Sequence, residues 1–263
     1  HTFPMNRSNI SLLITTFNWP EALDLVLQSV MRQTSSPSQI VIADDGSQTD
    51  TGSIVSRYKK HLPIEITWQP DCDFRAARAR NLALLRTKYD YVIFVDGDCL
   101  LPPNFVRNHL ALAKPGKLVS GNRSLLSRHE SNLLLRQKSQ IDTKQLFSNY
   151  KYRAMPFGPL RDIDPFSWQS VRSCNFGAHT TDILKVGGFD ESYIGWGRED
   201  SDFVARMLKA GITVRSGRFA TCVAHLHHME RPRDQFSVND DRFKQMLHGT
   251  MGYRPAKTMI KAI

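Results

Sequence analysis

Tyr91-Val92-Ile93-Phe94-Val95, followed at once by Asp96-Gly97-Asp98, is the stretch on which the fold of this chain turns. Its apolar and aromatic run reads as a buried strand of a parallel sheet. Two carboxylates one residue apart then stand at the strand's C-terminal end, where open α/β sheets bind ligands. Hard cations such as Mg²⁺ and Mn²⁺ take oxygen ligands, often one or two carboxylates together with substrate phosphates. Gly97, having no Cβ, lets a bulky anion come close to the backbone. Asp-Gly also opens tight turns, so these residues alone leave a plain turn and a metal–diphosphate site both open.

Working outward, residues 10–15 read as a strand, and Pro20 opens a helix with the apolar stripe Leu23, Leu27, Val30 and Met31. Residues 39–43 form a strand candidate ending in Asp44-Asp45-Gly46-Ser47, and Asp50 caps a helix over 51–61. A third strand over 64–68 and a third helix over 74–85 lead into the Tyr91 strand. Such alternation predicts an α/β fold with a mostly parallel central sheet and helices on both faces. Residues 122–172 break the rhythm with nine Lys or Arg against four Asp or Glu. They read as a helical or partly mobile basic insertion, or as a solvated basic loop. Order returns with a strand over 174–179, a helix over 181–186 stopped by Gly187-Gly188, and a helix over 199–210. Residues 213–215 and 220–224 are late strand candidates.

The 263 residues, 41% apolar and 23% charged, suffice for a sizeable core. No run of about 18 apolar residues occurs, so no membrane span is expected. No signal peptide is visible, and a start at His1 reads as trimming. Cys72, Cys99, Cys174 and Cys222 lie far apart without a C-x-x-C pair. That argues against structural zinc and a disulfide scaffold, and for reduced thiols in a cytoplasmic compartment. The net charge of +10 attracts anions: nucleic acid, an acidic membrane surface or phosphorylated substrates.

Other groups bear chemistry. Asp44-Asp45-Gly46-Ser47 places acids on the same sheet edge, able to accept from a base or ribose. Thr15-Thr16-Phe17-Asn18 offers hydroxyls and a stacking face. Asp71-Cys72-Asp73 copies the spacing of the Asp96 triplet, but it follows Pro70 and leads into a helix that Asp73 is expected to cap. Arg80 falls in register with the apolar Leu84 and points inward, toward phosphate. In Gly195-Trp196-Gly197-Arg198-Glu199-Asp200, the flanked tryptophan suits stacking against a sugar. Glu199 and Asp200 open a helix whose dipole favours their charged forms, and one of them is a candidate general base. Last, His225, His227 and His228 look like metal ligands or a histidine cluster unrelated to metal. Strand alternation would put His225 and His227 on one face and turn His228 away.

As an ordered set over residues 9 to 230, these motifs resemble GT-A nucleotide-sugar glycosyltransferases of the family 2 type. Their later half, Gly188-Phe189-Asp190-Glu191 with the Gly-Trp-Gly loop, is similar to β-1,4-galactosyltransferases and polypeptide GalNAc-transferases. The resemblance implies a single Rossmann-like GT-A domain over 1–263. Within it lie a nucleotide-binding half (1–121), the basic insertion (122–172), and an acceptor half with a C-terminal tail (173–263). It implies that Thr16, Phe17, Asn18, Asp45, Arg80, Asp96 and Gly97 bind the donor, and that Phe17, standing where tyrosine is frequent, keeps the stacking face. Asp98 and His227, with Asp96, would ligate Mn²⁺ or Mg²⁺; His227 is preferred to His225 for its spacing from Cys222. Asp200 would be the catalytic base, and Asn175, Trp196, Gly197 and Glu199 would meet the acceptor and sugar.

The implied reaction is an inverting, metal-dependent transfer from a UDP-sugar to a hydroxyl of a glycan or lipid-linked glycan, in bacterial surface polysaccharide or lipopolysaccharide synthesis. Metal and Arg80 would neutralise the leaving diphosphate. The basic insertion and the tail from Arg254 make an anionic membrane surface, on the inner face of the plasma membrane, a further expected partner. Two rivals remain. A nucleotidyltransferase would need a glycine- and lysine-rich phosphate loop where Thr15-Thr16-Phe17-Asn18 stands. A basic nucleic-acid-binding protein would have its phosphates repelled by acids at three strand ends, so nucleic acid is not expected.

Overall fold

A computed structural model describes residues 7–48, 50–137, 146–147, 161–162, 168–171, 174–229, 233–249 and 252–261. Strand β1 (Arg7–Thr16) leads to helix α1 (Pro20–Met31), β2 (Ser36–Asp44), α2 (Thr51–Tyr58), β3 (Ile64–Trp68), α3 (Ala76–Leu84) and β4 (Tyr91–Asp96). Next come β5 (Cys99–Leu100), α4 (Phe105–Leu112), β6 (Lys117–Ser120), β7 (Arg123–Leu125) and α5 (Arg128–Gln137). The later part holds β8 (Asn175–His179), α6 (Thr180–Lys185), α7 (Glu199–Lys209), β9 (Thr213–Ser216), β10 (Val223–His225) and α8 (Phe236–His248). Of the basic stretch 122–172, the described part begins with β7 and α5; most of the remainder lies outside the described residues.

The fold is the expected α/β type. Seven strands form one sheet in the order β3-β2-β1-β4-β8-β6-β9, parallel except that β8 runs antiparallel to both β4 and β6. Successive strand residues face opposite sides. Ile10, Leu12 and Ile14 therefore meet Leu23, Leu27 and Val30 of α1, while Leu13 and Phe94 join α3 and α7 on the other face. Every residue of β2 is buried, as a strand covered on both faces requires. Met31, expected in the α1 stripe, is 40% exposed, because Val26 and Val30 complete the buried face.

A second, three-stranded sheet, β5-β10-β7, was not legible in the sequence. Its strands have two or three residues each, too short to show a period. It pairs His225 with Cys99 across the β10–β5 ladder, next to the end of β4.

The two ends of the chain share one core. Phe94 of β4 stacks on Phe176 of β8 at 4.6 Å, and Phe189 stacks on Phe203 of α7 at 4.4 Å. All four rings are fully buried. The tail closes over this cluster. Asp190 accepts the Ala256 N–H and Glu191 the Met259 N–H, Thr258 donates to the Gly187 carbonyl, and Ile260 is buried. The tail's backbone is thus clasped to the core, while the Arg254, Lys257 and Lys261 side chains stay exposed.

Phe203→Ala should cost about 3–5 kcal/mol, the usual cost of emptying a buried aromatic position. Urea unfolding reads this as a lower midpoint; a loss below about 1 kcal/mol would contradict the shared core.

Candidate active site

The parallel register brings the ends of β1, β2 and β4 level: Thr15 lies opposite Asp96, and Thr16 opposite Asp44. Gly97 follows at a crossing so close that its N–H donates to the Thr15 carbonyl at 2.7 Å. A Cβ at Gly97 would stand 2.9 Å from that oxygen and 3.1 Å from the Thr16 side chain. Glycine is required here by the neighbouring strand, a reason additional to the anion approach expected from the sequence.

One wall of the cleft is knitted from two loops. The Asn18 N–H donates to Ser47 Oγ, and Asn18 Oδ1 accepts the Gln48 N–H, both at 2.8 Å. Asn18 holds a positive φ of 47°, exposed beside half-buried Phe17. Asp45 is buried; its carboxylate accepts the Gln69 amide and, at 2.9 Å, the Arg75 N–H. That second bond fixes the start of α3, which begins at Ala76 with Arg75 at its cap. Asp73, expected to cap it, is exposed at φ 65°. Gln69, which the motifs did not single out, thus orients Asp45.

Arg80 does not reach an open phosphate position. It is 2% exposed, and its two Nη atoms lie 3.3 Å from Asp96 Oδ1 and 3.3 Å from Glu199 Oε1. Helical register turned the side chain inward as expected, but two carboxylates from opposite halves of the chain take its charge. Burial works against that charge; Asp96, Glu199 and Asp200 outweigh it and hold the guanidinium protonated above its ordinary range. Burial, aided by Asp200 and opposed by Arg80, pushes Glu199 up to about 7. The α7 dipole expected to keep Glu199 charged is therefore outweighed by desolvation.

The carboxylate of Asp98 meets two imidazoles. His225 Nε2 lies 3.6 Å from Oδ1 and His228 Nε2 lies 3.4 Å from Oδ2. Each ring places Nδ1 2.8 Å from a backbone carbonyl, that of Leu226 or Met229, so Nδ1 donates and Nε2 is the nitrogen that faces Asp98. His227, preferred from its spacing, is not brought here: it is exposed, and its N–H donates to Ser131 Oγ. Strand alternation fails because β10 ends at His225 and the chain continues as irregular backbone. The group also includes Cys99, whose Sγ lies 3.5 Å from Asp98 Oδ1. Burial pushes that thiol well above its ordinary range, and it hydrogen-bonds Cys174. Asp98, His225 and His228 offer the mixed oxygen and imidazole donors that suit Mn²⁺.

On the far side, Gly195 and Gly197 adopt φ of 77° and 109°, where a Cβ would lie 2.6 Å from Gln235 and 2.9 Å from Phe236. The Trp196 ring they flank is supported: it packs on Phe236 at 5.7 Å, with the Arg233 guanidinium 4.9 Å above it. Arg198, at φ 75°, precedes α7, and Asp200 in the first turn is half-buried with Oδ1 accepting the Ser201 N–H. Asn175 does not line this cleft. It is fully buried, its amide donating to the Asn122 and Thr221 carbonyls and its Oδ1 lying 3.2 Å from His109 Nε2. The Asn175 side chain is consumed in joining β8 to the loops beside it.

Comparison with known proteins gives the family and the fold. The family model described as glycosyl transferase family 2 matches residues 11–173, and one described as N-terminal domain of galactosyltransferase matches residues 164–231. A validoxylamine A glucosyltransferase of Streptomyces hygroscopicus subsp. limoneus is 28% identical over 254 residues, 89% of this chain and 56% of that protein. A chondroitin synthase of Pasteurella multocida is 28% identical over 239 residues, 81% of this chain and 24% of that protein. The chain thus spans about half or less of these relatives. Residues 1–349 of S. aureus TarS, crystallised with UDP-GlcNAc, superpose with a TM-score of 0.64 at 14% identity, covering 93% of this chain and 68% of that one. That likeness establishes the GT-A fold.

Arg80→Ala, which strands the buried Glu199 and the half-buried Asp96 carboxylates, should lower stability by about 3 kcal/mol in urea unfolding; a neutral effect would contradict the bridge. Glu199 supplies a pH test. Its folded-state value of about 7 exceeds the ordinary 4.5, so the folded state binds this proton more tightly than the unfolded chain. The stability it contributes is full below about pH 4.5 and lost as pH rises through about 7. Glu199→Gln should flatten that span of the stability–pH curve by roughly 3 kcal/mol; an unchanged slope would contradict the assignment.

Proposed function

This chain belongs to glycosyl transferase family 2, and from that premise we propose that it transfers a hexose or N-acetylhexosamine from a UDP-sugar to a hydroxyl of a glycan, with inversion. The carrying observation is the ion-paired bridge Asp96–Arg80–Glu199, which joins the strand-end wall to the start of α7 beside the Asp98–His225–His228 group. Thr16, Phe17 and Asn18, with Asp45 held by Gln69, form the uridine pocket, the base lying against Phe17. Asp96 meets ribose on the side that Arg80 leaves open. Asp98, His225 and His228 would hold a divalent cation, which would supply charge neutralisation for a departing diphosphate.

The remaining work is done by α7 and the loop before it. Trp196 and Gly197 border the acceptor, and Glu199, oriented by Arg80, hydrogen-bonds it. Asp200, half-buried in the first turn of α7, takes the proton from the acceptor hydroxyl as that oxygen attacks the anomeric carbon. The bond to UDP breaks on the opposite face, so a single displacement inverts the configuration. The chondroitin synthase relative supports a polysaccharide acceptor, and the exposed basic side chains of the tail support an encounter with anionic, lipid-borne glycan at a membrane surface.

A panel of UDP-sugars with Mn²⁺, read as slow donor hydrolysis or as transfer to glycan acceptors, tests the reading. One donor should turn over, EDTA should abolish turnover, and Asp200→Asn should lower transfer ~10²–10⁴-fold while UDP binding persists. Full transfer by Asp200→Asn, or indifference to EDTA, would overturn it.

A further inference from the structure

We propose that Cys99 is a fourth donor at the Asp98–His225–His228 group, making it a site that closes tetrahedrally around a thiophilic ion such as Zn²⁺ or Co²⁺. The distances carry this. Cys99 Sγ and His225 Nε2 lie 3.5 Å and 3.6 Å from Asp98 Oδ1, and His228 Nε2 lies 3.4 Å from Asp98 Oδ2. Donor atoms of Asp98, Cys99 and His225 all fall within 4.8 Å of one another. Zinc bonds of about 2.0–2.3 Å to oxygen, nitrogen and sulfur give tetrahedral edges of roughly 3.3–3.7 Å, the spacing of the contacts Asp98 makes with Cys99, His225 and His228; His228, exposed and outside that mutual group, completes the set by a side-chain turn on binding.

The scaffold is arranged for it as well. Cys99 and His225 are paired residues of the β5–β10 ladder, so their separation is set by the sheet. Both imidazoles have Nδ1 committed to a backbone carbonyl, which leaves Nε2 as the ligating atom. Without an ion, the Cys99 S–H donates to Asp98. On binding, the S–H bond breaks, the sulfur–metal bond forms and the proton leaves to solvent. The cysteine spacing in the sequence argued against zinc, since no C-x-x-C pair exists; this set has one sulfur and draws its other donors from three separate positions.

Four protein donors leave a tetrahedral ion no open position. A hard octahedral ion would instead take Asp98, His225 and His228, leave the thiol protonated, and keep positions for diphosphate oxygens. On the glycosyltransferase reading, Zn²⁺ would therefore occupy the cation site and block the donor. That consequence rests on the proposed function, whereas the ligand set does not.

The test is titration of the chelator-stripped, dialysed protein with Co²⁺, followed by absorption without any nucleotide sugar. The wild type should show a sulfur-to-cobalt charge-transfer band in the near ultraviolet together with the intense visible bands of tetrahedral Co²⁺. Cys99→Ser should lose the charge-transfer band and bind Zn²⁺ more weakly, by at least the ~10–100-fold that loss of an outer-shell partner costs. Cys174→Ser should keep the band. Co²⁺ bound by the wild type without a charge-transfer band, or a band that survives Cys99→Ser, would overturn the proposal. Should Cys99→Ser not fold, X-ray absorption of the zinc-loaded wild type decides: a sulfur shell at about 2.3 Å supports it, and an all-oxygen-and-nitrogen shell overturns it. Failure here leaves donor hydrolysis with Mn²⁺ untouched, so the two readings fail separately.

Discussion

The structure depends on one buried cation. Arg80 sits in α3 with almost no exposure and spans Asp96 at the end of β4 and Glu199 at the start of α7, residues far apart in the chain. An uncompensated buried guanidinium is very costly, so the fold must bring both acids to it. Doing so fixes the distance between the sheet edge and the helix that carries Asp200. Packing reinforces the same junction: Arg80 lies 5.4 Å from the Phe189 ring, which stacks on Phe203 of α7. The bridge has an electrostatic price, visible in Glu199, whose proton is held to about 7. Glu199 is 7% exposed with its Oε1 turned onto Arg80, and it is this engagement, not its proton affinity, that sets it apart from Asp200 in the first turn of the same helix.

A second device sets the cation group. The main sheet delivers Asp98 just past β4, and the small β5-β10-β7 sheet carries His225 to it through the pairing with Cys99. Because β10 ends at His225, the irregular segment after it brings His228 to the same carboxylate and leaves His227 outside. The three side chains thus come from a strand end, a strand and an irregular segment. The chemistry is a property of tertiary arrangement, with no single stretch of sequence holding it.

This explains what could be read from the sequence. The long strands and helices were legible because each is buried on a face with its own period: β3 spans the residues the pattern gives it, and α1 begins at Pro20 as expected. The level ends of β1, β2 and β4 followed from parallel pairing, so Thr16, Asp45 and Asp96 could be placed on one edge. Three things could not be read. Strands of two or three residues carry no period, which hid the second sheet and with it the choice between His227 and His225. Asn175 was placed with the sugar ligands, yet its neighbours across the chain, Asn122 and Thr221, use up its amide in the interior. Arg80 was read as inward-pointing, but what it meets was invisible, since Glu199 lies far away in sequence.

The central claim is that these strand ends and the Asp98 group form one site for a metal-bound nucleotide diphosphate. Anomalous diffraction at the manganese edge, from crystals grown with UDP and Mn²⁺, tests it most directly. The account expects one strong peak within bonding distance of Asp98, His225 and His228, with the uracil ring against Phe17 and near Asp45. A manganese peak away from Asp98, or UDP bound at another edge of the sheet, would contradict it.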